Sequence, residues 1–262
     1  MLTHTLGLGI DVADPDLRRW SAAIGRTANL MDWDLAGITT PLKFAPGEGW
    51  YYGTATDWAG QLLERVTGLT IGTYMQQHVF SKLDMTSTGF WPEKLSKADE
   101  RMAEFTFRDG VALKPGPSPV KKEHPIESAG GGLFSSAADY VKLVQAVLRE
   151  DVLLRRETSE IMFAPQLDDV QRQMLMLIAD YNHDAFAPEF PRGLELSHGF
   201  AGVVNLEDVS GKRRKGSLMW SGMPNTRWVS VLLGCCEHLW LPLGSILTFD
   251  SGLIASLVLV AS

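Results

Sequence analysis

The stretch Phe44-Ala45-Pro46-Gly47-Glu48-Gly49-Trp50-Tyr51-Tyr52-Gly53-Thr54 runs within two residues into Asp57-Trp58-Ala59-Gly60 and then Glu64-Arg65-Val66-Thr67-Gly68. A Pro-Gly pair opens a turn, and three consecutive aromatic residues follow it. Beyond Thr54 the pattern becomes helical: Trp58, Leu62 and Val66 recur at spacing four, which predicts a helix over residues 56–67 with those side chains on its apolar stripe and Gly68 as its stop. A tyrosine in such a frame can be aimed into a cleft from a rigid support. The alternative for both Tyr51 and Tyr52 is plain packing on a turn.

Outward from this stretch the pattern continues. Thr70 can cap a second helix carrying Ile71, Met75 and Val79 on one stripe. Ser136 opens a third, with Asp139 three residues on as a short capping-box variant and Tyr140, Leu143, Val144, Val147 and Leu148 as its apolar face. Strand-like runs come late, at residues 196–206, 216–220 and 226–234. Residues 114–125 hold four prolines and a glycine and read as a loop. Helices early and strands late predict an α+β fold: an antiparallel sheet flanked by helices, plus a helical region.

The 262 residues carry a formal net charge of -7, with 45% apolar and 21% charged side chains, as in an ordinary globular protein. No basic stripe exists to neutralise phosphates, which argues against a nucleic-acid partner. The basic run Lys212, Arg213, Arg214, Lys215 follows Ser210-Gly211 and reads as a solvated turn. The two cysteines, Cys235 and Cys236, are adjacent. They offer no metal-binding spacing and fit a reducing, cytoplasmic setting. The first residues show neither a basic nor an apolar leader region. In residues 229–262 Pro242 and Asp250 break the apolar runs, so no membrane span is expected.

Four stretches, in order, resemble the serine beta-lactamase-like superfamily, which includes class C beta-lactamases, D-alanyl-D-alanine peptidases, family VIII esterases and fungal transesterases. They are Leu2-Thr3-His4-Thr5-Leu6-Gly7-Leu8; the 44–68 stretch; Gly130-Gly131-Gly132-Leu133-Phe134-Ser135-Ser136; and Gly216-Ser217-Leu218-Met219-Trp220-Ser221-Gly222. The Tyr-Gly-x-x-x-Asp-Trp-Ala-Gly form is similar to the fungal transesterase branch. The resemblance implies a partial beta-lactamase/transpeptidase-like fold over residues 1–228, with 229–262 an atypical apolar tail. It implies acyl transfer or ester hydrolysis through a serine acyl-enzyme, with a small-molecule acyl donor and acceptor and with neither metal nor cofactor.

By the same resemblance Tyr52 is the proton-relay tyrosine, with Tyr51 the fallback one register away. Trp220, Ser221 and Gly222 occupy the substrate-binding motif that reads Lys-Thr-Gly or His-x-Gly in other members. Gly130, Gly131 and Gly132 are expected to form a structural turn, and His4 to serve its own turn.

The resemblance also implies a nucleophile in Ser-x-x-Lys, which stacks both groups on one helix face, some tens of residues before the His-Thr stretch. Here that stretch begins at Leu2. The one Ser-x-x-Lys in the chain, Ser118-Pro119-Val120-Lys121, follows the tyrosine motif and lies among prolines that disfavour a helix. Both ends therefore read as a truncated or mis-spliced gene product. Such a chain would be poorly stable and either silent or a binding module that keeps the cleft without the chemistry.

Overall fold

The computed structural model describes residues 1–118, 123–149, 152–186, 188, 190–222 and 227–230. They fall into two compact units, one of Met1–Ser96 with the described residues of 118–135, the other of Lys97–Pro117 with the described residues from Ser136 onward.

The first unit is helical. Helix α1 (Pro15–Ala23) begins at Asp14, whose carboxylate accepts from the amides of Asp16 and Leu17, with Pro15 at the first helical position. A short α2 (Leu35–Ile38) is capped by Asp34. Helix α3 (Ala55–Thr67) ends at Gly68 in the left-handed conformation, φ 70°, as the sequence predicts. Its orientation corrects the expectation: Leu62 and Val66 are 53% and 76% exposed, and the buried face is Ala55, Asp57 and Gly60. Of the spacing-four stripe, Leu62 and Val66 face outward, while Trp58 is half-buried and donates Nε1–H to the Ile38 carbonyl at 3.1 Å. Thr70 caps α4 (Ile71–Met75), and the chain continues through a π-helical turn over Gln76–Phe80. Trp50, Ile38 and Phe80 are fully buried in this unit.

The second unit carries the sheet. Helix α5 (Ala98–Arg101) precedes a hairpin of β1 (Thr106–Asp109) and β2 (Ala112–Pro115). The hairpin corrects the loop predicted from Lys114: Lys114 and Pro115 pair with Phe107 and Thr106 at the hairpin's end. Proline is tolerated at such an edge. Residues 119–122 of that predicted loop lie outside the described residues.

Helix α6 (Ala137–Leu148) starts where expected, Ser136 Oγ accepting from the Asp139 amide. Helices α7 (Arg156–Phe163), α8 (Asp169–Tyr181) and α9 (His183–Phe186) follow. Four antiparallel strands come next, in spatial order β3-β4-β5-β6: β3 (Leu196–His198), β4 (Val203–Asn205), β5 (Leu218–Ser221) and β6 (Arg227–Ser230). The predicted 196–206 run is thus a hairpin of two strands rather than one. Residues 231–234 of the last predicted run, and the rest of the expected tail to 262, lie outside the described residues.

Phe163 of α7, Val204 of β4 and Leu218 of β5 form a buried cluster, with Val147 and Leu148 of α6 packed against it. Helices thereby cover the sheet. Each fully buried large apolar side chain contributes roughly 1.5–3 kcal/mol. The basic run needs correction at one residue: Lys212, Arg214 and Lys215 are exposed as expected, but Arg213 is only 8% exposed and stacks over the Phe190 ring at 4.5 Å. An aromatic partner distant in sequence turns a charge expected in solvent inward.

Candidate active site

Within the first unit, the tyrosine stretch is laced to the N-terminal stretch by backbone hydrogen bonds. The Lys43 amide donates to the Gly7 carbonyl at 2.8 Å, Gly47 to Thr5 at 2.8 Å, and Tyr51 to His4 at 3.0 Å. His4 has φ 56°, a left-handed geometry for which histidine is among the enriched residues, and its amide donates to the Met1 carbonyl at 3.1 Å. The turn-forming role expected of His4 is visible in these bonds.

Three consecutive aromatic residues then diverge. Trp50 is buried in the core. Tyr51 donates its hydroxyl to Asp14 Oδ2 at 2.6 Å. Tyr52 is 36% exposed, with its ring 4.9 Å from the ring of His4 and inclined at 64°. The next residue must be glycine, since a Cβ on Gly53 would sit 2.2 Å from the Leu8 carbonyl oxygen. The main chain therefore passes against Leu8 at the tyrosine's C-terminal side.

Burial raises the pKa of Tyr51, and the bond to Asp14 raises it further, to about 12. Burial also works to raise Asp14. The hydrogen bonds it accepts from Tyr51, the Leu17 amide and Lys43 outweigh that and bring it down to about 2. The Tyr51 phenol is thus spent as a donor to a carboxylate.

The turn of Gly130, Gly131 and Gly132 is tied to the same frame. Asp57 Oδ1 accepts from Ser128 Oγ at 2.6 Å and from the Gly130 amide at 3.0 Å. A Cβ on Gly130 would meet Asp57 Oδ2 at 2.4 Å. This geometry suits the structural role expected of the turn. Sequence reasoning placed Asp57 on a helix without seeing its task, and it missed Asp14 altogether. The Asp14-Pro15 pair is a helix-start signal that could have found Asp14.

In the second unit, Trp220 and Ser221 end β5, paired with Trp228 and Arg227 of β6, and Gly222 follows exposed. The rings of Phe186 and His198 form T-shaped contacts with the Trp220 ring at centroid distances of 5.4 and 5.6 Å. Burial lowers the pKa of His198 to about 4, against a smaller opposing effect of the Gly199 carbonyl, so the imidazole beside Trp220 is neutral at ordinary pH. Ser118 is described, and Lys121 lies outside the described residues. Among the described residues no three His, Cys, Asp or Glu gather as a metal site, and no helix is long and apolar enough to cross a membrane.

A family model for beta-lactamase matches residues 1–227. The chain belongs to the beta-lactamase family. Among curated proteins, this family member is 35% identical over 243 residues to acyltransferase mokF of Monascus pilosus, covering 88% of the chain and 58% of that protein. It is 33% identical to monacolin J acid methylbutanoyltransferase of Aspergillus terreus, covering 87% of the chain and 57% of that protein. Among solved structures, it superposes on a LovD6 mutant of simvastatin synthase from Aspergillus terreus with TM-score 0.78 at 32% identity, covering 88% of the chain and 56% of the other. The chain thus spans a little over half the length of the relatives it matches. The α+β architecture, a partial beta-lactamase/transpeptidase-like fold of fungal-transesterase type, follows from both the helices and sheet described above and these likenesses.

Proposed function

We propose that this protein provides the relay tyrosine and part of the substrate-binding surface of a serine acyl-transfer site. Its reaction is acyl transfer from a small natural-product ester, or its hydrolysis when water is the acceptor. The relatives named above, acyltransferases of fungal secondary metabolism, support this reading. A single observation carries it: of two adjacent tyrosines, Tyr51 commits its hydroxyl to Asp14 while Tyr52 stays partly exposed on a frame laced at 2.8–3.0 Å.

In the proposed chemistry, a serine of a Ser-x-x-Lys helix gives its proton to the Tyr52 phenolate as it attacks the acyl carbonyl, and the Tyr52 phenol passes that proton to the departing alkoxide, which leaves as the alcohol and restores the phenolate. The acceptor hydroxyl then gives its proton to the Tyr52 phenolate as its oxygen attacks the acyl-enzyme, and Tyr52 returns that proton to the serine oxygen as the ester bond to serine breaks. Such positioned proton transfer contributes roughly 10²–10⁴-fold.

Trp220, with Ser221 and Gly222, stands where other members place Lys-Thr-Gly or His-x-Gly. An indole there favours a neutral or apolar acyl group over a carboxylate-bearing one. No metal or cofactor enters this scheme. We further take residues 1–228 as the catalytic-type domain and 229–262 as a tail, and the adjacent cysteines favour a cytoplasmic setting.

Sequencing the transcript upstream of Met1 tests the assignment. The expected result is an in-frame Ser-x-x-Lys, and in the protein that carries it Tyr52→Phe should lower acyl transfer at least a hundredfold, on the order of the relay's contribution. A message that begins at Met1 would instead favour a pseudoenzyme binding module, since the chain's one Ser-x-x-Lys at Ser118 sits among prolines. A fluorophosphonate or penicillin-type probe separates the two: covalent labelling at any serine supports the enzyme.

A further inference from the structure

We infer that Tyr51, Asp14 and Lys43 form a clamp that sets the position of Tyr52, making them positioning residues for the proposed relay. The inference rests on the reading of Tyr52 given above; it adds Asp14 and Lys43, which the family resemblance does not single out, and gives Tyr51 a positioning role instead of a relay one.

The clamp is a closed set of contacts. Asp14 Oδ2 accepts the Tyr51 hydroxyl at 2.6 Å and pairs with Lys43 Nζ at 2.9 Å. Lys43 Nζ also pairs with Asp16 Oδ2 at 2.7 Å and lies 5.6 Å from the centre of the Tyr51 ring. The other oxygen of Asp14 is fixed by α1, accepting from the Asp16 and Leu17 amides, each at 2.9 Å. The ring itself is boxed in: a Cβ on Gly9 would lie 3.3 Å from Tyr51 Cε1.

Tyr51 is therefore held at its amide by His4, at its ring by Gly9 and Lys43, and at its hydroxyl by Asp14. On the far side of Tyr52, Gly53 is pressed against Leu8. The backbone on either side of Tyr52 is thus held, and its ring lies 4.9 Å from that of His4.

A helix cap needs Asp14 alone. The additional investment of a tyrosine hydroxyl and a lysine joins α1, the 43–51 segment and the His4 turn at one point, directly beside the candidate relay. The charged groups facing Tyr51 are Asp14, Asp16 and Lys43, with Arg19 paired to Asp16 beyond them. Asp14 stays ionised and Tyr51 stays protonated across the ordinary pH range, so the clamp can hold a neighbour that exchanges protons without exchanging any itself.

The test uses the full chain labelled at tyrosine Cζ with ¹³C, with the Tyr52 resonance assigned by Tyr52→Phe among the five tyrosines. Tyr51→Phe and Lys43→Met are expected to weaken or abolish the cross-peak between the Tyr52 and His4 rings. Both should also move the pH midpoint of the Tyr52 resonance, while the Tyr140 and Tyr181 signals stay in place and Lys43→Arg restores the wild-type pattern in part. A role confined to stability would lower the melting temperature of these variants and leave the Tyr52 cross-peak and midpoint unchanged, and that outcome overturns the clamp. Should Tyr51→Phe fail to fold, Lys43→Met carries the same readout. The experiment needs no turnover: a Tyr52 that moves in these variants but whose replacement leaves acyl transfer intact would sink the relay and keep the clamp.

Discussion

Ser128 Oγ donates to Asp57 Oδ1 at 2.6 Å across 71 residues of sequence, fastening the glycine turn to the first turn of α3. Burial raises the Asp57 pKa above its ordinary 3.8, and the bonds from Ser128 and the Gly130 amide only partly offset it. Two replacements should therefore differ sharply. Asp57→Ala leaves the buried Ser128 hydroxyl without this acceptor, at about 1–3 kcal/mol, and removes the part-buried bond from the Gly130 amide as well. Asp57→Asn keeps one acceptor oxygen and should cost far less. A group whose folded pKa is raised stabilises most below its unfolded value, and that contribution fades as pH rises. Urea denaturation should thus show Asp57→Asn gaining on the wild type from about pH 4 upward. A gap between them that does not change with pH would contradict the assignment.

The Asp14–Tyr51 pair predicts a plateau. Asp14, depressed to about 2, contributes stability that is present above 3.8 and lost as pH falls through its folded value. Tyr51, raised to about 12, contributes stability that is present below 10 and lost as pH climbs through its folded value. The difference between wild type and Tyr51→Phe should accordingly be flat from about pH 4 to 10, at roughly 1.5–3 kcal/mol for a hydrogen bond to a charged group. Denaturant midpoints across that range measure it directly, and a slope there would show that some other group dominates.

The parts of this fold that were legible in the sequence share one property: their signal is local. Gly68 ending α3, Thr70 and Ser136 capping their helices, and the frame around Tyr52 can each be read from a few neighbouring residues. The unreadable parts depend on distant partners. The apolar spacing of Trp58, Leu62 and Val66 announced a helix correctly but not that Leu62 and Val66 would face outward, because the buried side packs through Asp57 and Gly60 onto Ser128–Gly130. Arg213 looked solvated until Phe190 supplied a ring. The β1–β2 hairpin was hidden because β2 is exposed along its length and so shows no alternation, although Asp109-Gly110, with Gly110 at φ 60°, is a hairpin-turn signal. For the site, the motif pointed to Tyr52. What sets Tyr51 apart from it, Asp14 lying 37 residues away, could not be read from the motif.

The Phe163 cluster offers a test of how the second unit is held. Phe163 packs on Val204 and Leu218, which are almost wholly buried, so Phe163→Ala should leave a cavity between helix and sheet. The expected loss is about 3–5 kcal/mol. Phe163→Leu, which keeps most of the apolar volume, should lose appreciably less. Thermal melts followed by far-ultraviolet circular dichroism would rank the three proteins. Equal melting temperatures for the alanine and leucine variants would mean that this helix is not anchored through Phe163.

His198 gives the second unit an acid sensitivity of its own. It is 2% exposed on β3, with Nδ1 2.5 Å from the Gly199 carbonyl oxygen, and burial pulls its pKa from 6.5 to about 4. The folded state therefore holds the neutral ring while the unfolded chain binds a proton near 6.5. The resulting stability is complete above that value and is lost as pH falls towards 4. The two values correspond to about 3 kcal/mol at most. His198→Phe, which keeps an apolar ring beside Trp220, should flatten the stability profile between pH 6.5 and 4 while leaving stability near pH 8 within about 1.5 kcal/mol of the wild type. If the variant retains the full acid slope, the proton uptake belongs to another residue and the neutral imidazole beside Trp220 is not what that slope reports.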